Sequence, residues 1–187
     1  PREELSGSEK WSFPNYPAIY VSWYDALAFC RWLSVRLGCD VCLPTECEWQ
    51  WAAAADTGQD YPWPGDWDPA RANSGEAGIG RTVAVGLYPQ GRRSPCGVDD
   101  LSGNVDEWCL NDYGSPNGMS TDGEASRVLR GGSWGDFAGG LRASYRGRGG
   151  AGHRYGSFGF RVCRVSPSEP QNTGALGETR QIGRAHV

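Results

Sequence analysis

From Arg130 to Cys163 the chain reads RGGSWGDFAGGLRASYRGRGGAGHRYGSFGFRVC, and this stretch constrains the fold more than any other. Glycine recurs too densely for a helix, because each interior glycine weakens a helix or strand by about 1 kcal/mol relative to alanine. What stays regular is a frame: Gly131-Gly132-Ser133-Trp134, then Leu141-Arg142-Ala143, then Arg146 and Arg154, closing on Gly159-Phe160-Arg161. Between the frame residues lie Gly135, Asp136, Phe137, Gly140, Tyr145, Gly147, Gly149, Gly150, His153, Tyr155, Gly156 and Ser157, positions that read as tolerant of any side chain. Aromatic and Arg anchors with open positions between them describe a binding surface. A catalytic constellation needs particular groups at particular places.

The rest of the composition agrees with a loop-rich domain. The 187 residues include 28 Gly and 12 Pro, so few long regular elements are expected, while 9 Trp, 8 Tyr and a 39% hydrophobic content can fill one sizeable core. A net charge of −4 argues against a general nucleic-acid binder. The charge is uneven: Arg130, Arg142, Arg146, Arg148, Arg154, Arg161 and Arg164 cluster late in the chain. They either tie loops together through backbone carbonyls or form a surface for an anionic ligand. Seven Cys occur; Cys39-x-x-Cys42 has metal-like spacing, but no second such pair follows and Cys47 is too near to complete a zinc ribbon. Small buried thiols in a reducing compartment, hence a cytoplasmic location, are expected. No apolar run is long enough to cross a membrane, and a monomer is expected. The chain begins at Pro1 rather than Met, which leaves room for a preceding segment with a targeting signal.

Two helices are predicted. Ser22 is an N-cap for a helix over Trp23–Leu37, in which Ala26, Leu27, Cys30, Leu33 and Leu37 recur at helical spacing and Gly38 ends the run. Thr45 and Glu48 form a capping box, so a second helix is predicted over residues 46–55. Strands are predicted at 83–86, 127–130 and 160–163, the last two pairing in one sheet. The fold class is α+β: two early helices, then a loop-rich mixed sheet. Residues 167–187 read as a disordered tail, and Ile182-Gly183-Arg184-Ala185-His186-Val187 resembles translated adapter sequence, so the last residues are expected to be non-native.

Several landmarks occur together and in order over residues 18–165: Val21-Ser22-Trp23-Tyr24-Asp25-Ala26, Leu43-Pro44-Thr45-Glu46-Cys47-Glu48-Trp49, Tyr61-Pro62-Trp63, Ala72-Asn73-Ser74, Asp100-Leu101-Ser102-Gly103-Asn104-Val105-Asp106-Glu107-Trp108, Arg130-Gly131-Gly132-Ser133-Trp134 and Gly159-Phe160-Arg161. In these the chain resembles the formylglycine-generating enzyme (sulfatase-modifying factor) family, whose fold is a variant of the C-type lectin fold. The resemblance implies one domain over residues 1–166, short of the family's N-terminal strand and helix. Members that oxidise a substrate cysteine hold copper on two cysteines between the Gly-Gly-Ser-aromatic motif and the following Arg. Here that interval, Gly135 to Leu141, contains no Cys, so copper and the oxidase reaction are not expected. Iron-dependent relatives need several His ligands, whereas this chain has His153 and His186 alone. The resemblance also implies a structural Ca²⁺ held by the carboxylates of Asp100 and Glu107 and the backbone carbonyls of Gly103 and Val105. Asp106 stands where the family carries Trp. A second family site would use Asn73, but its acidic partner segment is missing.

Closer still is a resemblance to the variable proteins of diversity-generating retroelements, which implies a bacterial or phage source. In those proteins the frame is kept and the positions between are mutagenised at adenines of Asn codons. Every open position named above holds a residue that a codon ending in C can encode with its first two bases free. This implies a non-catalytic module that displays residues 135–158 to a protein or cell-surface ligand. Phe137, Tyr145 and Tyr155 are then exposed contact residues beside small adaptable Gly and Ser positions. Phe158 and Phe160 belong to the core, and Trp134, Arg142, Arg146, Arg154 and Arg161 hold the scaffold. Two alternatives stand beside this: an oxidase acting on protein cysteines, and a structural or regulatory appendage of a larger protein.

Overall fold

The computed structural model describes residues 13–92, 96–115, 117–121 and 125–165; the tail predicted at 167–187 lies outside them. Both helices form for the local reasons their sequences give. In α1 (Trp23–Leu37) the Ser22 hydroxyl accepts from the Asp25 N–H while the Asp25 carboxylate accepts from the Ser22 N–H, and Gly38 closes the helix with φ of 65°. In α2 (Glu46–Ala54) Thr45 and Glu48 exchange the same two bonds. Each helix buries one stripe: Trp23, Ala26 and Cys30 on α1, Trp49, Ala52 and Ala53 on α2.

Six short strands follow the chain: β1 (Val41–Cys42), β2 (Asp106–Asp112), β3 (Ser126–Arg130), β4 (Gly147–Gly150), β5 (Phe158–Phe160) and β6 (Cys163–Arg164). The main sheet has the order β4-β3-β2-β5, with β2 antiparallel to β3 and parallel to β5; β1 and β6 make a separate antiparallel pair. Register then decides which helix each side chain meets. Trp108 lies opposite Leu129, and both pack with Trp23, Ala26, Cys30 and Leu43 on the α1 side. Their neighbours Cys109 and Val128 point the other way and pack with Trp49, Ala52 and Ala53 of α2. Among the described residues no helix is long and apolar enough to cross a membrane.

Two of the predicted strands are corrected. Residues 83–86 are loop: the Val83 N–H donates to Asn104 Oδ1 at 3.0 Å and the Val85 N–H to the Asn15 carbonyl at 2.8 Å, so their donors are satisfied without a ladder. Residues 160–163 do not form one strand paired with 127–130. The run divides at Arg161 and Val162; β5 lies in the main sheet but with β2 between it and β3, and β6 leaves to join β1.

Three of the seven late arginines, Arg130, Arg146 and Arg161, turn inward, while Arg142, Arg148, Arg154 and Arg164 stay exposed. Arg130 donates to the carbonyls of Ala143, Ser144 and Tyr145 and lies 5.1 Å from the Trp49 ring centre. Arg127, fully buried, pairs with Asp112 and stacks 3.9 Å from the Trp23 ring centre. Arg146 bonds Glu46 at 2.7 Å and the Tyr113 carbonyl at 2.9 Å. For Arg130 and Arg146 these contacts are loop-tying.

Candidate ligand-binding cleft

The frame motif builds one wall. Gly131 and Gly132 both have positive φ (93° and 67°), and a Cβ on Gly132 would sit 2.7 Å from the Gly140 carbonyl oxygen, so the chain turns here only with glycine. The turn delivers Ser133 and Asp136, whose Oδ2 accepts from the Ser133 N–H at 2.9 Å and its hydroxyl at 2.7 Å. Trp134 is pinned by its backbone N–H to the Asn104 carbonyl at 3.1 Å and by its indole N–H to the Gly156 carbonyl at 3.3 Å.

The second wall is the loop entering β5. The Tyr155 carbonyl accepts from the Tyr20 N–H at 3.0 Å and the Phe158 N–H at 3.1 Å. The Tyr155 and Phe158 rings meet edge-on, 4.9 Å apart. Tyr20 holds a left-handed φ of 57° just before α1, a strained position for a tyrosine. Between the walls lies a cleft of about 520 Å³, with Asp106 at the start of β2 in its lining. The Asp106 N–H donates to the Ser157 carbonyl at 2.8 Å, which locks this loop to the sheet.

The Asp106 carboxylate accepts no hydrogen bond and joins no ion pair among the described residues. Burial pushes its pKa up to about 7, with the nearby charges of Asp136 and Glu107 adding to the rise. Among the described residues no Lys, Arg or His lines the cleft.

The structure brings five of the expected surface residues together here: Gly135, Asp136, Tyr155, Gly156 and Ser157. The others lie elsewhere. Phe137 is 66% exposed and faces Gly75, whose hypothetical Cβ would lie 3.3 Å from its ring. Gly140 ends the same loop, with Asp136 beside it. Tyr145 is 46% exposed, before β4. Gly147, Gly149 and Gly150 form β4 itself, and His153 follows in a turn, its ring 5.7 Å from that of Tyr155. Gly149 corrects the expectation of an open position. It is buried, and a Cβ there would meet Trp108 Cη2 at 2.6 Å. Sequence reasoning missed Tyr20 and Asp106 as cleft residues, and it gave Trp134 to the scaffold and Phe158 to the core, whereas both also line the cleft. For Asp106 a signal existed: an acidic residue where the resembling family places Trp.

The atoms expected to hold Ca²⁺ do not fit a cation as arranged. Glu107 accepts from the Trp49 indole at 2.6 Å and is clasped by both Arg161 Nε and Arg161 Nη2. The same guanidinium reaches the carbonyls of Asp99 and Asp100 at 3.0 and 3.2 Å, so the charge of Glu107 is already met within the chain. The Asp100 carboxylate accepts from the Gly86 N–H at 3.0 Å, and the Gly103 carbonyl accepts from the Val105 N–H at 3.0 Å. Among the described residues no group of three or more His, Cys, Asp or Glu side chains is placed to hold a metal.

Residues 1–166 match the family described as the sulfatase-modifying factor enzyme 1-like domain. The chain is 36% identical over 145 residues to the inactive C-alpha-formylglycine-generating enzyme 2 of Bos taurus, covering 72% of this chain and 43% of that protein. It is 34% identical over 158 residues to the formylglycine-generating enzyme of Streptomyces coelicolor, covering 71% of this chain and 46% of that one. The chain thus spans less than half the length of these curated relatives. Among solved structures it is similar to Treponema denticola variable protein 1, with a TM-score of 0.71 at 24% identity over 83% of this chain and 76% of that one. At that identity the likeness establishes the fold: α+β, of the C-type-lectin-like kind.

Proposed function

The chain belongs to the family of sulfatase-modifying factor enzyme 1-like domains, and we propose that within it this protein is a non-catalytic ligand-binding module. Its contact surface is drawn from residues 135–158, and its ligand is a protein, free or on a cell surface. One observation carries the reading. Residues from two separate loops, Gly135 and Asp136 on one side and Tyr155, Gly156 and Ser157 on the other, converge on a single cleft. Meanwhile Arg130 and Arg161 of the frame are spent on internal partners. The similarity to a variable protein supports the reading at the level of the scaffold.

The oxidase alternative requires an accessible thiolate pair. The interval from Gly135 to Leu141 supplies none. Cys109 and Cys163, the nearest cysteines in other motifs, are both fully buried, and burial pushes the Cys109 thiol well above the ordinary range. The test is sequencing of codons 127–165 across a population carrying this gene. Changes confined to open positions such as Gly135, Phe137, Tyr145 and Tyr155, with Gly149 and the frame fixed, are expected. An invariant segment, or copper-dependent oxidation of a cysteine peptide by the purified chain, overturns the proposal.

A further inference from the structure

We propose that the cleft between the 133–136 turn and the loop entering β5 takes a cationic side chain, the ammonium or guanidinium of a lysine or arginine presented by a protein ligand. This rests on the binding-module reading and adds to it the chemistry of the group recognised. The first support is the unmatched charge. Asp106 lies half-buried in the lining with no donor to its carboxylate among the described residues, and Asp136 stands nearby with Oδ2 alone engaged by Ser133. The chain's own cations near these walls are committed: Arg154 forks onto Asp25 at 2.9 and 3.0 Å, and Arg161 onto Glu107. Among the described residues no cation faces the cleft, and a desolvated carboxylate without a partner is a costly arrangement that a cation relieves by favouring the ionised form.

The second support is the wall chemistry. Tyr20, Trp134, Tyr155 and Phe158 surround the acids, and aromatic faces attract ammonium and guanidinium groups while receiving the methylene stem of a long side chain. The volume, about 520 Å³, suits one such side chain with its flanking backbone. An anionic group would meet two carboxylates. A neutral apolar group would seal Asp106 away without a partner. The shared demand of both supports is positive charge on an elongated apolar stem.

The experiment is an NMR titration of the full 187-residue chain, following the indole N–H of Trp134 and the amides of 155–158. The probes are Nα-acetyl-lysine methylamide, Nα-acetyl-arginine methylamide, the uncharged Nα-acetyl-norleucine methylamide, Nα-acetyl-glutamate methylamide and free butylammonium. The two cationic amides are expected to bind at least about 10-fold tighter than norleucine, a factor of ten being about 1.4 kcal/mol. Asp106→Asn abolishes the preference while its spectrum stays folded, and Tyr155→Ala, at an exposed position, weakens the binding of every probe. Butylammonium binding as tightly as the lysine amide overturns the assignment to a protein side chain in favour of a free amine. Equal binding of norleucine, or tighter binding of glutamate, overturns the cation proposal and leaves the module reading standing. Silence of the cleft signals toward every probe overturns both.

Discussion

Replacing Gly149 by Ala adds one methyl group to the strand that the sequence presents as freely variable. That methyl would lie 2.6 Å from Trp108 Cη2 and 3.1 Å from both Trp108 Cζ3 and Phe158 Cε2, about an ångström inside ordinary contact. Trp108 cannot give way easily. It is fully buried, its indole N–H donates to the Val21 carbonyl at 3.0 Å, and its ring stands edge-on to Phe158 at 5.2 Å. Overpacking of this kind costs roughly 1–3 kcal/mol. The lower entropy of the unfolded chain returns about 0.4–1 kcal/mol when the backbone angles suit alanine. A net loss of roughly 1–2 kcal/mol corresponds to about 2–8 °C in a domain of this size. Gly135→Ala is the control, since its Cβ would meet nothing nearer than Ser133 Oγ at 4.0 Å; it should change Tm by no more than about 1 °C. Scanning calorimetry of both variants decides the matter. A Gly149→Ala protein as stable as the Gly135→Ala protein would refute the division of this segment into closed and open positions.

Glu107→Gln leaves Arg161 buried without its counter-charge, a change worth about 3–5 kcal/mol in urea denaturation; a loss under about 1 kcal/mol would show the pair to be dispensable. Asp106, held at about 7 in the fold, keeps a proton that the unfolded chain releases near 4. The native state therefore binds more protons between those values, and stability falls as pH rises through that window, by at most about 1.4 kcal/mol per unit. It levels off above. Asp106→Asn removes the slope, and an unchanged slope in that variant contradicts the assignment. Because Arg161 already meets the charge of Glu107, a chelator should leave Tm unchanged; a fall of several degrees on adding EDTA, restored by Ca²⁺, would place an ion there after all.

What could be read from the sequence was local. Both helices are announced by residues within one turn of their ends, Ser22 with Asp25 and Thr45 with Glu48, and those bonds are present. The strand β2 was not legible. Its run DEWCLND is buried on both faces in the middle, so it shows no alternation for a periodicity argument to catch. Strand β4, GRGG, has almost no intrinsic strand preference and exists because β3 pairs with it over four residues. Residues 83–86 carry two β-branched valines, a strand signal, yet find their partners in Asn104 and Asn15. The cleft was half legible. Asp136 and Tyr155 to Ser157 sit in the stretch that the frame picks out, whereas Tyr20 and Asp106 reach it only through tertiary structure.

The bond from the Tyr20 N–H to the Tyr155 carbonyl, with that from the Trp23 N–H to the Ala151 carbonyl, joins the first described helix to the last loop before the sheet closes. A nascent chain that has emerged only as far as β3 therefore has no cleft at all, because both walls are still to be synthesised. Recognition belongs to finished molecules alone, and any ligand held there acts as a clasp across the two ends of the domain. Such a clasp raises unfolding free energy by RT ln(1 + [L]/Kd), about 2.7 kcal/mol at a hundredfold excess over Kd. A shift in melting temperature is thus a way to find the partner before anything is known of it.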